Sequence, residues 1–305
     1  MNRLDTTTTT TITAATTTTT IDPLSGCRLM DGTALAARIL ADAAGRAAAF
    51  AERTGHAPCL ATVLVGDDPA SATYVRMKQN RSRKAGIGSR HVALPATAST
   101  SQVVDTIAEL SADDAVHGIL LQHPCPPAVD ERAAFEAIDP AKDVDGVTLH
   151  SFATMSFGLP GFASCTPGGI MRLLDEYEVE LSGRHAVVVG RSPILGRPVG
   201  MLLLGRDATV TYCHSHTRDL HAIIREADVL VAAVGKPHLI PGDVIKPGAV
   251  VIDAGYNAGN VGDVDTESAR ARASLITPVP GGVGPMTIAV LLDQTVTAAE
   301  RQEKQ

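Results

Sequence analysis

The chain has 305 residues, 45% hydrophobic and 19% charged, and its 26 Lys and Arg against 33 Asp and Glu give a net charge of -7. This length allows two domains with separate cores, and the charge argues against nucleic-acid binding and against a basic membrane-binding patch. The five cysteines form no Cys-x-x-Cys pair and the ten histidines have no metal-ligand spacing, so we expect a reducing, cytoplasmic setting without disulfides or metal. No run of about 18 apolar residues is present to span a bilayer. A small molecule is therefore the expected partner.

Residues 1–23 are expected to form a disordered, threonine-rich tail. Residues 6–20 are almost all threonine and offer nothing to bury. The tail lacks the basic start and apolar core of a secretory signal, and an organelle transit peptide is the alternative. The fold is expected to start near Leu24.

The first half of the chain alternates helices and strands. Asp31 and Gly55 are expected to bound a helix that runs to Arg53. Further elements are predicted as strands at 59–65, 89–94 and 116–122, and as helices at 101–110 and from a Ser71 cap to Lys84. This alternation predicts a parallel sheet with right-handed crossovers. The prolines at 124–127 end the third strand at the carboxyl edge of the sheet, where ligands of open α/β sheets bind.

The second half repeats the pattern after a helix at 167–178 that would pass between domains. Strands are predicted at 186–190, 209–213, 229–234 and 250–253, and helices at 198–204 and 217–227. This is a compact βαβαβ nucleotide-binding half with a further strand. An apolar helix at 287–299 is expected to return and pack on the first domain.

Residues 185–198 change from an apolar strand to a glycine turn and then to a helix start, which suits a polyphosphate. The G-x-S-x-x-x-G spacing of Gly190, Ser192 and Gly196 is not the usual G-x-G-x-x-G, so an ordinary strand-to-helix turn is the alternative. The second strand is not followed by the acidic residue that NAD enzymes place there. Arg191 and Ser215 instead favour a 2′-phosphate and therefore NADP, unless they are ordinary exposed polar residues.

Candidate acid/base chemistry lies on the helix that begins at Ser71. Tyr74 and Lys78 are four residues apart and share a face. A lysine beside an aromatic ring in a partly dry cleft loses its proton more easily, whereas a solvated lysine above a core tyrosine is the alternative. Gln122 ends a buried strand, where its amide would bond a substrate or the lysine, or cap the strand.

Two further segments are candidate binding surfaces. A calcium loop that started at Asp143 would need a glutamate at its twelfth position, but that position is Thr154, which excludes such a loop. This leaves an Asx turn or a carboxylate that binds an amino-heterocycle by two hydrogen bonds. Residues 280–285 hold three glycines between prolines, which predicts a rigid loop against a flat ligand or a structural turn.

Six segments together resemble the bifunctional methylenetetrahydrofolate dehydrogenase/methenyltetrahydrofolate cyclohydrolase family, in order from about Leu24 to Thr297. They are residues 71–78, 118–122, 142–146, 165–167, 190–192 and 277–286. The resemblance implies a homodimer of two-domain α/β subunits. An N-terminal α/β folate-binding domain would comprise residues 24–155 and 284–300, and a Rossmann-like NADP-binding domain residues 156–283.

The resemblance also implies site residues and an activity. Lys78 would be the catalytic lysine, with Gln122 as its partner, Tyr74 beside the folate and Asp145 as the pterin anchor. The cofactor would contact Gly190, Arg191, Ser192, Gly196, Ser215 and Tyr256, and the folate pocket would be lined by Pro280, Gly281 and Gly282. The enzyme would oxidise 5,10-methylenetetrahydrofolate with NADP and hydrolyse the methenyl product to 10-formyltetrahydrofolate.

Several positions depart from the usual family pattern. These are Asn80, His123, Cys125, Gly168 and Tyr256. None removes an expected catalytic residue. A dehydrogenase with weak or no cyclohydrolase activity, and a non-catalytic folate- or nucleotide-binding paralogue, stay open as alternatives.

Overall fold

The computed structural model describes residues 26–66 and 69–304, without the side chains of residues 69–75. The threonine-rich tail and the expected start at Leu24 therefore lie outside the described residues. The helices are α1 (Gly32–Thr54), α2 (Pro69–Lys84), α3 (Thr100–Ala112), α4 (Glu131–Glu136), α5 (Leu149–Ser156), α6 (Cys165–Glu176), α7 (Gly196–Leu204), α8 (Leu220–Ile224), α9 (Thr266–Arg270) and α10 (Val283–Gln302). The strands are β1 (Arg28–Leu29), β2 (Cys59–Val65), β3 (Gly88–Leu94), β4 (Gly118–Leu121), β5 (His185–Val189), β6 (Thr209–Cys213), β7 (Val229–Ala232), β8 (Val250–Asp253) and β9 (Leu275–Ile276). Over the described ranges, no helix has the length and apolar character needed to cross a membrane.

Two parallel sheets organise the molecule, as the alternation of helices and strands predicts. The first has three strands in the order β3-β2-β4, and the second has six in the order β1-β9-β8-β7-β5-β6. All the pairings between these strands are parallel. The carboxyl ends of neighbouring strands therefore meet along one edge of each sheet, where the loops that follow them come together.

Helix α1 is bounded as its sequence predicts. The Asp31 carboxylate accepts a hydrogen bond from the Ala34 amide at 3.0 Å, and Gly55 follows the last helical residue. The helix buries Ala43 and Ala47 in one hydrophobic cluster with Leu292 of α10. Its small side chains let the two helices approach closely.

Helix α10 returns to the first sheet, as the sequence predicts. It packs against α1 and α6 and contacts β2 and β4. The carboxylate of Asp293 bonds Arg46 of α1 at 2.7 Å and Arg172 of α6 at 2.6 Å. Gln302 donates a hydrogen bond to the His117 carbonyl at 3.0 Å. One helix thus ties together segments from both halves of the chain.

Element boundaries differ from the sequence prediction in several places, and four of the differences have a clear physical reason. Helix α10 starts at Val283 rather than 287, because the first turn of a helix needs no amide donors and so accepts a proline. The same rule explains why α2 starts at proline 69, before Ser71. Strand β4 ends at Leu121 because Pro124 has no N–H to continue the ladder. Helix α8 is confined to 220–224, since residues 214–217 form a turn and Asp219 has a φ of 52°.

Candidate active site

A cavity of about 720 Å³ lies where the carboxyl ends of β4 and β8 face α2 and the start of α10. We call it the large cavity. Seven of the residues singled out from the sequence line it: Lys78, Gln122, Asp145, Tyr256, Pro280, Gly281 and Gly282. They come from five separate segments of the chain, so the fold, and not a local motif, assembles this set.

Lys78 and Gln122 are directly hydrogen-bonded. The Lys78 Nζ donates to Gln122 Oε1 at 3.0 Å, and Gln122 Nε2 donates to the His123 carbonyl at 2.8 Å. Because that carbonyl can only accept, it fixes the amide orientation so that the oxygen faces the lysine. Of the roles considered for the Gln122 side chain, the structure shows the hydrogen bond to Lys78.

Lys78 lies in an environment that favours its neutral form. Burial lowers the pKa of the Lys78 ammonium from its ordinary value of 10.5, while the nearby Asp145 carboxylate and Cys165 partly oppose this shift. A lysine of this kind exchanges a proton at a pH closer to neutral than a solvated one. The backbone of Tyr74 lies one turn earlier in α2, and its side chain lies outside the described residues.

The two aspartates of the 143–146 segment have separate positions. Asp143 is fully buried, and its carboxylate accepts from the amides of Val147 at 3.1 Å and Thr148 at 2.9 Å. Asp145 instead lines the large cavity. The sequence offered a turn-forming or a ligand-binding carboxylate for this segment; the structure has one residue that forms the turn, Asp143, and another that lines the cavity, Asp145.

The Asp145 segment is held by contacts that the sequence did not indicate. The Cys165 amide donates to the Asp145 carbonyl at 3.2 Å, and its thiol donates to the Val144 carbonyl at 3.1 Å. Gln294 of α10 donates to the same Val144 carbonyl at 2.8 Å. Burial, and then the nearby Asp145 carboxylate, raise the pKa of the Cys165 thiol well above its ordinary value, so it stays a proton donor.

The proline-glycine segment lines the large cavity along the whole of residues 280–285, but only its first half is a loop. The Gly281 carbonyl accepts from the Thr33 amide at 3.0 Å, and the Gly282 amide donates to the Pro278 carbonyl at 2.8 Å. The first bond ties residue 281 to the start of α1, and the second closes a turn within the segment. Residues 283–285 belong to α10, so a single rigid loop over 280–285 was wrong for its second half.

A second cavity of about 510 Å³ lies at the carboxyl ends of β5, β6 and β7. We call it the second cavity. Four predicted residues line it, namely Gly190, Arg191, Ser192 and Ser215. Gly190 has a φ of +136°, and a Cβ there would lie 2.3 Å from the Ala233 carbonyl oxygen. Only glycine therefore allows β5 to turn this close to the end of β7.

The turn that follows Gly190 borders both cavities. Ser192 lines the second cavity, whereas Ile194 and Leu195 line the large one. The Ser192 hydroxyl accepts hydrogen bonds from the amides of Leu195 at 3.1 Å and Gly196 at 3.3 Å. Gly196 lines neither cavity and begins α7, so its contribution to a ligand site is to the shape of this turn.

Sequence reasoning assigned no site role to several further lining residues. The large cavity also contains Arg81, His123, Thr166, Asp253 and Thr287, and the second contains His214, Thr217 and Lys236. The position of Arg81 could have been predicted, because it lies three residues after Lys78 on one helix and therefore shares its face. Nothing in the sequence marked Asp263. Its carboxylate accepts hydrogen bonds from the amides of Val234 at 2.6 Å and Lys236 at 2.8 Å and so fixes the loop after β7.

Comparison with known proteins gives a consistent family assignment. The tetrahydrofolate dehydrogenase/cyclohydrolase catalytic domain matches residues 30–145, and the NAD(P)-binding domain of the same family matches residues 164–303. The bifunctional protein FolD 1 of Streptomyces avermitilis is 73% identical over 90% of this chain and 96% of its own length.

Solved structures agree. The bifunctional FolD enzyme of Campylobacter jejuni is 42% identical with a TM-score of 0.87, covering 90% of this chain and 98% of its own. The Trypanosoma brucei enzyme, solved with NADP cofactor and an inhibitor, is 36% identical with a TM-score of 0.88, covering 92% and 99%. The chain belongs to the tetrahydrofolate dehydrogenase/cyclohydrolase family.

Proposed function

We propose that the chain oxidises 5,10-methylenetetrahydrofolate to 5,10-methenyltetrahydrofolate with NADP and hydrolyses the product to 10-formyltetrahydrofolate. The observation that carries this proposal is the Lys78–Gln122 pair, bonded at 3.0 Å in the same cavity as Asp145. The pair provides proton transfer, and the neighbouring second cavity provides a nucleotide site. Family membership supports both halves of the reaction.

The second cavity fits NADP by its own residues. Among the described residues that line it, Arg191 and Lys236 are basic and none is acidic. Arg191 and Ser215 would hold the 2′-phosphate, a group that a carboxylate at the same place would repel. Bound NADP supplies the hydride acceptor. Tyr256, 59% exposed at the rim of the large cavity, would lie near the nicotinamide.

The large cavity would orient the folate. The Asp145 carboxylate accepts two hydrogen bonds from the amino-pterin edge, a pairing that rejects analogues lacking those donors. The backbone of residues 280–282 and the Tyr74 ring would flank the flat part of the substrate. Asp145 is held in place by Cys165 and, through Val144, by Gln294.

Lys78 would move the protons of the hydrolysis. Water adds to the methenyl carbon, whose positive charge the two ring nitrogens share, and a proton leaves that water. Neutral Lys78 accepts this proton and returns one to the nitrogen that departs as the ring opens to 10-formyltetrahydrofolate. Gln122 holds the amine in position throughout.

We further propose the division of the chain and its assembly. The first domain would comprise residues 24–155 and 284–300, and the second residues 156–283, which accords with the packing of α10 on α1. A homodimer is supported by the exposed Leu204 of α7 and by the position of β6 at a sheet edge. Light scattering after gel filtration would measure its mass. The free cysteines accord with a cytoplasmic location.

The decisive experiment assays both steps on one preparation. Purified protein receives methylenetetrahydrofolate with NADP or NAD, and separately receives methenyltetrahydrofolate. We expect reduced cofactor with NADP and accelerated hydrolysis of the methenyl compound. NADPH formation without accelerated hydrolysis would leave only the dehydrogenase, and turnover of neither substrate would leave a binding paralogue.

A further inference from the structure

Arg81 is a cation in the large cavity that the proposed reaction does not use. It follows Lys78 by three residues in α2, so the two side chains share a helix face. Both line the large cavity, and Arg81 is half-buried there. The cavity therefore holds a permanently charged guanidinium about one helical turn from the catalytic amine.

Arg81 has no partner within the described part of the chain. It makes no hydrogen bond and no ion pair there, whereas its neighbour Arg83 donates to Asn80 Oδ1 at 3.2 Å. A partly buried guanidinium without a partner is costly, and its planar set of donors matches a carboxylate. This arrangement is typical of a group whose partner arrives with the ligand.

The other charged side chains that line the large cavity already interact with neighbouring groups of the protein. Asp253 accepts from the amides of Gly255 at 2.9 Å and Val264 at 2.9 Å. Asp145 acts electrostatically on Lys78, which bonds Gln122. Among the described lining residues, Arg81 is therefore the cation available to an incoming anion.

We propose that Arg81 binds the carboxylates of the glutamate tail of the folate and so selects for substrates that carry one. This inference rests on the proposed function. In a folate the tail is joined through a benzoyl group to the nitrogen that carries the one-carbon unit. With that nitrogen near Lys78, the tail must lie one ring away from it. An arginine one turn along the same helix is placed to meet it.

The test compares substrates with and without the tail. Michaelis constants are measured for 5,10-methylenetetrahydropteroate, which has no glutamate, and for the folates with one and five glutamates. For Arg81→Ala we expect KM to rise about tenfold for the glutamylated substrates, with little change in kcat. For the pteroate substrate KM should be unchanged. Arg81→Lys should recover part of the loss, and Arg83→Ala is the matched control.

Two outcomes would overturn the proposal. An equal rise in KM for the pteroate substrate would mean that Arg81 only shapes the cavity. A rise confined to the KM for NADP would mean that Arg81 binds the cofactor. If the wild-type protein turns over neither substrate, the proposed function fails, and calorimetric titration with tetrahydrofolate and tetrahydropteroate decides the role of Arg81. A loss of affinity confined to tetrahydrofolate supports the proposal, and an equal loss contradicts it.

Discussion

The two cavities are built in different ways. In the second cavity, the residues expected to hold the cofactor lie in short segments that each follow a strand, with Gly190 and Arg191 after β5 and Ser215 after β6. The large cavity joins Lys78, Gln122 and Asp145 from distant parts of the chain. The order of the parallel strands positions the first set of residues, whereas the second set depends on contacts among several separate segments. Substitutions should therefore affect catalysis and cofactor binding separately.

The largest difference between the effects on the two activities is expected for Lys78→Met. Loss of the proton-transferring amine should reduce the cyclohydrolase rate about 1,000-fold. Hydride transfer needs no proton from this residue, so dehydrogenase activity should fall by less than about tenfold. Both rates are measured on one preparation, with Lys84→Met at the exposed end of α2 as control. Equal losses in both activities would contradict the separation.

In the second cavity, Gly190→Ala should have the largest effect. The added Cβ would lie 2.3 Å from the Ala233 carbonyl oxygen, and the residue has a φ of +136°. We expect the free energy of unfolding to fall by about 2–4 kcal/mol, together with weaker NADP binding. Urea unfolding measures the change in stability.

Gly183→Ala is the matched control for Gly190→Ala. Its φ is +72°, and nothing lies within 4 Å of an added Cβ. This substitution should lower the free energy of unfolding by about 1 kcal/mol, from backbone strain alone. Similar losses for the two variants would show that the contact with Ala233 has no role.

Arg191→Ala should affect cofactor choice more narrowly. Since Arg191 is exposed, the lost contact with a 2′-phosphate should raise KM for NADP by about tenfold and leave KM for NAD unchanged. Initial-rate measurements with both cofactors test this, with Arg197→Ala on α7 as control. An unchanged preference for NADP would remove Arg191 from the phosphate site.

The smallest effect is expected in the pH profile. Because burial lowers the pKa of Lys78 below 10.5, the neutral amine that accepts a proton becomes available at lower pH. After subtraction of the uncatalysed reaction, cyclohydrolase activity should rise with pH and level off below 10.5, and Lys78→Met should lose this rise. A profile that still climbs above 10.5 would mean that the lysine behaves as a solvated one.

Local signals predicted the fold well. The Asp31 cap and the bounds of β2, β6 and β8 follow from residue order alone, because caps and apolar runs act within a few positions. The two-residue strands β1 and β9 could not be predicted, since their pairing depends on residues almost 250 positions apart. The start of α10 was missed because a glycine-proline run normally indicates a loop.

The candidate site was predictable where a residue type implies its own chemistry. Lys78, Gln122 and Asp145 line one cavity as expected, whereas the contacts that Cys165 and Gln294 make with the Val144 carbonyl were not expected. Those two act by holding another residue's backbone. Nothing in a single sequence marks such a contact, which exists only after the chain has folded.

The turn over residues 190–196 has a thermodynamic consequence. Its first residues line the second cavity, while Ile194 and Leu195 line the large one. Any free energy by which one ligand favours a particular position of this turn must reappear as a change in affinity for the other ligand, by the same factor in both directions. A ligand-dependent shift of this turn would thereby link folate and dinucleotide affinities through seven residues, none of which is Lys78, Gln122 or Asp145.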